Sequence, residues 1–268
     1  MATEYEDSAV LLERDDGIAR ITLNTPEKRN ALSDRLSNGI IDALSDVEAS
    51  DARCVVVEGA GPAFSAGGDI DAMVERHERD APTPEAVERV IQRIGRSVQR
   101  LVECPLPTVA KVDGPAFGAG ANLAIACDLQ LLSEGAKLGF GFRQVGLAVD
   151  SGTSYLLPRL VGDNVAKELV YTGELLDAER ASELGLANHV YPESEFEEAA
   201  EALIEQVASG PTVALRTSKR LLRHGRTASL SEAIEQEAVA QGTVFDSADH
   251  EEGISAFKEG RTPEFGGE

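Results

Sequence analysis

Two stretches constrain the fold of this chain more than any other: "RCVVVEGAGPAFSAGGD" (53–69) and "PTVAKVDGPAFGAGAN" (107–122). Each passes from a short run rich in β-branched residues, through Gly, Ala and Ser, to an Asp or Asn at the start of a helical pattern. A buried strand that enters a helix through small residues is the connection of an α/β fold. Small residues let a ligand or another backbone approach closely. The first N–H groups of the following helix lack intrahelical partners and favour negative charge. Two such loops aimed at one point would make an oxyanion hole; each is also readable as a tight strand-to-helix turn. Neither is G-x-G-x-x-G, and no P-loop lysine follows, which argues against nucleotide-phosphate chemistry.

The flanking segments agree with an α/β core. "GIARITLN" (17–24), "LQLLS" (129–133) and "KLGF" (137–140) read as strands. Leu36, Ile40, Ile41, Leu44 and Val47 share one face of a helix over 33–49 with Ser33 as N-cap. A second helix is predicted over 83–104, with Thr83 as cap and Pro84 at its first position. From about 151 onward nearly everything is predicted helical, with breaks at Gly162, Gly173, Gly185, Gly210 and Gly225 and a capping box at "SLSE" (229–232). The expected organisation is an α/β core over 1–200 and a helical extension over 201–268.

Apolar residues make up 42% of the 268, enough for a sizeable core, and no run reaches the ~20 residues of a membrane span. The start "MATEYEDSAV" is acidic and unlike a secretion signal, so a cytoplasmic location is expected. Cys54, Cys104 and Cys127 lie far apart in apolar sequence and read as buried thiols. His77, His189, His224 and His250 form no metal-binding spacing, and no metal or separate cofactor is expected. A formal charge of −22 repels nucleic acid and anionic membranes, so neither is an expected partner. The acids are scattered along helical patterns such as "ESEFEEAAEALIEQ", a texture that suits adaptation to high salt.

The order and texture of "PEKRNALS", "GAGPAFSAGGDI", "PTVAKVDGPAFGAGANLAIACDLQLLSEGAKLGF", "LLPRLVG" and "GISAFKEGRTPEF" resemble the crotonase, or enoyl-CoA hydratase/isomerase, family over essentially the whole chain. The resemblance implies a spiral of ββα units, a C-terminal helical extension involved in trimerisation, and a trimer or dimer of trimers. It implies an acyl-CoA thioester substrate, coenzyme A being part of the substrate, whose carbonyl oxygen lies between the backbone N–H groups of Ala66 and Ala119. By the same resemblance Lys28, Arg29, Ala63, Ser65, Ala66, Asp69, Ile70, Lys219 and Arg220 would contact coenzyme A, although Asp69 also reads as the cap of the next helix. Arg216, Lys219, Arg220 and Arg223 share one helix face and read equally as partners of the acidic surface. Asn122 and Phe142 would line the acyl pocket.

Hydratases of the family carry two glutamates, at the positions that Asn122 and Phe142 occupy in this chain. Adding water needs one group to activate it and another to deliver a proton, and neither residue does either. Shifting a double bond needs a single carboxylate. "GLAVDSGTSYLLPRLVG" (146–162) supplies Asp150 and resembles the ring-1,2-epoxyphenylacetyl-CoA and Δ3,Δ2-enoyl-CoA isomerases, with Val149 in place of a proline and Thr153 breaking a pair of glycines. Asp150 is therefore either the base, with a pKa raised by apolar surroundings, or the N-cap of the helix near Ser151, or both. The expected activity is isomerisation through an enolate. The alternatives are an enoyl-CoA hydratase and a non-catalytic acyl-CoA-binding protein of this fold.

Overall fold

A computed structural model describes residues 2–268. A seven-stranded sheet runs in the order β1 (Thr3–Tyr5), β2 (Val10–Asp15), β3 (Ile18–Leu23), β4 (Cys54–Gly59), β5 (Thr108–Val112), β7 (Leu129–Ser133), β10 (His189–Tyr191). Strands β6 (Pro115–Phe117), β8 (Lys137–Gly139) and β9 (Leu175–Asp177) make a second, three-stranded sheet. From β3 to β10 the large sheet is parallel, while β1, β2 and β3 pair antiparallel.

The repeated unit is visible in the chain order. Strand β5 leads to β6 and then helix α5 (Ala119–Ala126); β7 leads to β8 and then, after a short 3-10 turn, α6 (Thr153–Val161). Strand β4 leads to Ser65, which bridges Ala116 of β6 in parallel, and then to α2 (Ile70–Glu78). Each pass puts one strand in the large sheet and a strand, or in the β4 pass a single bridged residue, at the small one, and returns through a helix, which is the ββα spiral. No helix is long and apolar enough to cross a membrane among the described residues.

Side chains of the large sheet alternate between two cores, as the period of a strand requires. Val55, Val57, Ala110 and Val112 face α1 (Asp34–Glu48), α4 (Gly95–Glu103) and α5; Cys54, Val56, Val109 and Leu131 face Phe196, Ala200, Ile204 and Ala208 of α9 (Phe196–Ala208). Lys111 points to this second side. It is buried, and its ammonium lies 2.7 Å from Glu197, 2.9 Å from Glu201 and 3.7 Å from Glu58, with Arg20 also paired to Glu201. Helix α9 thus belongs to the core, so the boundary expected at 200/201 falls within a helix. The extension begins with α10 (Thr212–Gly225) and continues through α11 (Leu230–Phe245) and α12 (Ala248–Glu259). It exposes Leu222, Leu230, Val239, Phe245 and Phe257.

Local signals read from the sequence hold at several points. Ser33 caps α1 by accepting from Leu36 N, and Ser229 and Glu232 form the capping box of α11. All three cysteines are buried free thiols, and burial pushes Cys54 up to about 12. The predicted helix over 83–104 is present as a continuous helical run, α3 (Thr83–Arg89) passing through a π turn (Val90–Ile94) into α4. Pro82 occupies its N-cap, so Thr83 is the first helical residue and makes no cap. Three-residue strands β9 and β10 interrupt the region expected to be helical. The remaining elements of that region are α6, α7 (Asp163–Thr172), α8 (Ala178–Glu183) and α9 to α12.

Candidate active site

The two small-residue loops meet. Phe117 N donates to Ser65 O at 2.9 Å and Ser65 N to Pro115 O at 3.2 Å, so the loops pair like short strands. A Cβ on Gly67 would lie 2.4 Å from Phe117 O and 3.5 Å from Ala119 N, and one on Gly120 would lie 2.4 Å from Ser65 O. Only glycine permits backbones this close, which is why the sequence spends small residues here.

Among the described residues Ala119 N, at the first turn of α5, has no acceptor. Ala66 does not fit the role expected of it, because its N–H already donates to Arg29 O at 2.8 Å. Gly67 N donates to Ser65 Oγ at 3.3 Å. Gly68 N has no acceptor among the described residues, and it is the donor on this loop left to pair with Ala119. The 29–66 bond, which takes Ala66 out of the expected role, joins residues that no local sequence pattern connects.

Asn30, which sequence reasoning passed over within "PEKRNALS", fixes the first loop. It is fully buried and left-handed at φ 55. Its amide donates to Ala60 O at 2.9 Å and Ala63 O at 2.8 Å, its side-chain oxygen accepts from Thr25 N at 2.9 Å, and its carbonyl accepts from Ser65 Oγ at 2.7 Å. Asp69 caps α2 by accepting from Ala72 N at 3.2 Å and lies 3.5 Å from Lys28, which also pairs with Asp71 at 3.3 Å. Ile70, the first residue of α2, is exposed. Lys28, Arg29, Ala63, Ser65, Ala66, Asp69 and Ile70 are therefore gathered around one loop.

Lys219 and Arg220 are not part of that group within one chain. Lys219 Nζ bonds Asp128 at 2.6 Å and Leu106 O at 2.8 Å. These partners stand at the N-terminal ends of β5 and β7, whereas both loops follow the C-terminal ends of β4 and β5. The length of β5, roughly 13 Å, separates the two places. Arg216, Lys219, Arg220 and Arg223 instead line a groove of about 280 Å³ with Glu103 and Cys104.

Asp150 lies half-buried in the turn before α6. Thr153 N donates to Asp150 O at 2.9 Å, and Ser151 and Gly152 have φ of 48° and 85°. This is a type I′ turn. A non-glycine residue at its first left-handed position costs about 1 kcal/mol. The Asp150 side chain caps nothing; Gly152 is the N-cap of α6, and no side chain bonds there. Of the two readings of Asp150, the side-chain cap is thus not realised. The carboxylate accepts one hydrogen bond, from Ser151 Oγ at 2.8 Å. Burial pushes its pKa above the ordinary carboxylate value, and the Ser151 hydroxyl opposes that shift in part.

Asn122 and Phe142 are both buried beside these groups. The Asn122 amide nitrogen lies 3.1 Å from Asp150 O and 2.8 Å from Thr153 Oγ1. The tip of the Phe142 ring lies 4.0 Å from where a Cβ on Gly118 would stand, next to the second loop. The two positions that would carry hydratase glutamates thus adjoin the site, and neither bears an acid. Residues 142 and 150 lie 20 and 28 positions after Asn122 of α5, and the fold brings them back beside that helix.

The sequence and fold are similar to those of known proteins. The family model described as enoyl-CoA hydratase/isomerase matches residues 13–268. A Thermus thermophilus protein named "Putative enoyl-CoA hydratase" is 39% identical over 92% of this chain and 97% of its own length. An Escherichia coli 1,2-epoxyphenylacetyl-CoA isomerase is 33% identical over 96% of this chain and 98% of its own. The crystal structure of an enoyl-CoA hydratase from Bacillus anthracis superposes with a TM-score of 0.88 at 32% identity, over 97% of this chain and 99% of that one. With its paired loops, its ββα spiral and these relatives, the chain belongs to the enoyl-CoA hydratase/isomerase family.

Proposed function

We propose that this protein is an isomerase of acyl-CoA thioesters that relays one proton through Asp150. The observation that carries this reading is the set of side chains around α5. Asn122 and Phe142 stand where hydration would need two acids, and Asp150 is a half-buried carboxylate bonded, among the described residues, only to Ser151. The thioester oxygen accepts from the N–H groups of Gly68 and Ala119. As Asp150 takes a proton from the α carbon of a 3-enoyl thioester, the C–H electron pair moves into the C–C–O framework and the oxygen becomes an enolate held by those donors. Return of the same proton to the γ carbon moves the double bond into conjugation, and no water or cofactor is consumed. A base with a raised pKa suits this step, since a carboxylate of ordinary acidity is a weak acceptor for a C–H proton. Isomerisation of an epoxyphenylacetyl thioester is the related chemistry that the Escherichia coli relative's name indicates.

Lys28 and Arg29 are the cations beside the first loop, and we assign the coenzyme A phosphates to them. The apolar surface exposed on α10 to α12 supports self-association into the expected trimer or dimer of trimers.

The test is ultraviolet detection of conjugation on a panel of 3-enoyl thioesters, with crotonyl-CoA hydration and an epoxyphenylacetyl thioester run alongside. The wild type should isomerise the 3-enoyl substrate and hydrate crotonyl-CoA only weakly. Asp150→Asn should lower kcat by about 10²–10⁴-fold. The melting temperature should not fall, because the side chain caps no helix and its charged form is disfavoured by burial. Efficient hydration, or an Asp150→Asn variant that keeps its isomerase rate, would refute the reading.

A further inference from the structure

We infer that Asn122 and Thr153 are positioning residues: together they clamp the turn bearing Asp150 against the helix bearing the Ala119 N–H, so that base and oxyanion donor form one rigid unit. This rests on the isomerase reading above. Asn122 lies one helical turn after Ala119 on α5 and is fully buried. Its Nδ2 donates to Asp150 O at 3.1 Å and to Thr153 Oγ1 at 2.8 Å. The Thr153 hydroxyl, buried too, lies 2.8 Å from Asp150 O and 3.0 Å from Asn122 Oδ1. The Asp150 carbonyl thus accepts from the Thr153 backbone, the Asn122 amide and the Thr153 hydroxyl.

The residue types fit this task closely. The Thr153 hydroxyl oxygen needs a donor and the Asp150 carbonyl accepts a further one, which an amide supplies and a carboxylate does not. A glutamate at 122 would set an acceptor against the Asp150 carbonyl. Asn122 is therefore not an inert relic of a lost acid. The threonine supplies the matching hydroxyl at the position where the resembling isomerases have a glycine. A turn with two successive left-handed residues, one of them Ser151, persists where its surroundings hold it. The contact of Ser151 Oγ with the Asp150 carboxylate depends on that conformation. No ion pair involves Asp150 among the described residues; burial and the Ser151 hydroxyl are the influences on its charge.

The experiment compares Thr153→Val, which keeps shape but loses the hydroxyl, with Thr153→Ser, which keeps the hydroxyl. Conjugation of a 3-enoyl-CoA is followed against pH. Protonation of Asp150 is read separately, by infrared difference spectra of protein labelled with carboxyl-¹³C aspartate, with Asp150→Asn identifying the band. Thr153→Val should lower kcat about 10- to 100-fold, the scale of a small misplacement of a reacting group, with KM within about twofold of wild type. Its acidic limb and the infrared titration should both move to higher pH, because the Ser151 hydroxyl leaves the carboxylate. Thr153→Ser should restore both. The clamp is overturned if Thr153→Val changes only the melting temperature, or if Thr153→Ser is as impaired as Thr153→Val. Should Thr153→Val not fold, Thr153→Gly removes the hydroxyl without steric load and is held to the same outcomes. A wild type with no isomerase activity defeats the functional reading, whereas an infrared titration unmoved by loss of the hydroxyl defeats the clamp.

Discussion

Replacing Asn30 by alanine should damage both stability and catalysis, by an amount that its hydrogen bonds set. The side chain supplies two donors and one acceptor, to Ala60 O, Ala63 O and Thr25 N. Ala63 is buried, so its carbonyl is left without water, at a cost of about 1–2 kcal/mol. Ala60 and Thr25 are half-buried and can be rehydrated, so those two bonds contribute about 0.5 kcal/mol each. Residue 30 is also left-handed at φ 55, a conformation that asparagine tolerates and that costs alanine about 1 kcal/mol more. The sum is about 3–4 kcal/mol. At roughly 2 °C per kcal/mol for a chain of this size, the melting temperature should fall by about 7 °C. Activity should fall as well, because the same bonds hold the loop that carries Gly68. Thermal unfolding by circular dichroism at matched protein concentration, with conjugation rates measured well below both transitions, reads the two effects. Asn30→Gly serves as the control: it relieves the backbone cost and should recover about 2 °C while leaving the rate low. A melting temperature within about 2 °C of wild type with unchanged kcat for Asn30→Ala would refute the reasoning.

Two further outcomes follow from charge. Lys111→Met leaves Glu58 and Glu201 with Arg20 as their nearby cation while the exposed Glu197 returns to water, and should cost about 1–2 kcal/mol in thermal or chemical unfolding. Burial alone would raise the Glu201 pKa, but hydrogen bonds from Arg20 and Lys111 outweigh it and leave the carboxyl below the usual glutamate range. Wild-type protein therefore loses this stabilisation as pH falls through the depressed folded value, and the variant should show a flatter acid limb of melting temperature against pH. The net charge of −22 repels itself at low ionic strength, so the melting temperature should rise between dilute and molar KCl; a flat or falling response would contradict an acidic surface suited to high salt.

By itself the sequence determined the family and most of the longer elements, but not the short strands β1, β9 and β10. Strand runs, caps at Ser33 and Ser229, and small-residue loops act over a few residues, where propensity and sterics decide the outcome. The absence of acids at 122 and 142, and the presence of one at 150, were legible in the same way. The free N–H groups of the two loops were only partly so. Ala119 is free because it opens a helix, a local fact, whereas Ala66 is engaged by Arg29 across a gap in the chain that no local pattern reports. The same limit hid Asn30 as the tie of the first loop. It also left Lys219 and Arg220 grouped with the loop cations, although the length of a strand lies between them. The role of Asp150 needed the tertiary structure most. A helix cap and an uncommitted carboxylate have the same sequence texture, and the difference lies in whether the carboxylate meets helix N–H groups or a buried hydroxyl. That choice was made by the left-handed turn at Ser151 and Gly152 and by the contacts of Asn122 and Thr153, which packing against α5 brings together.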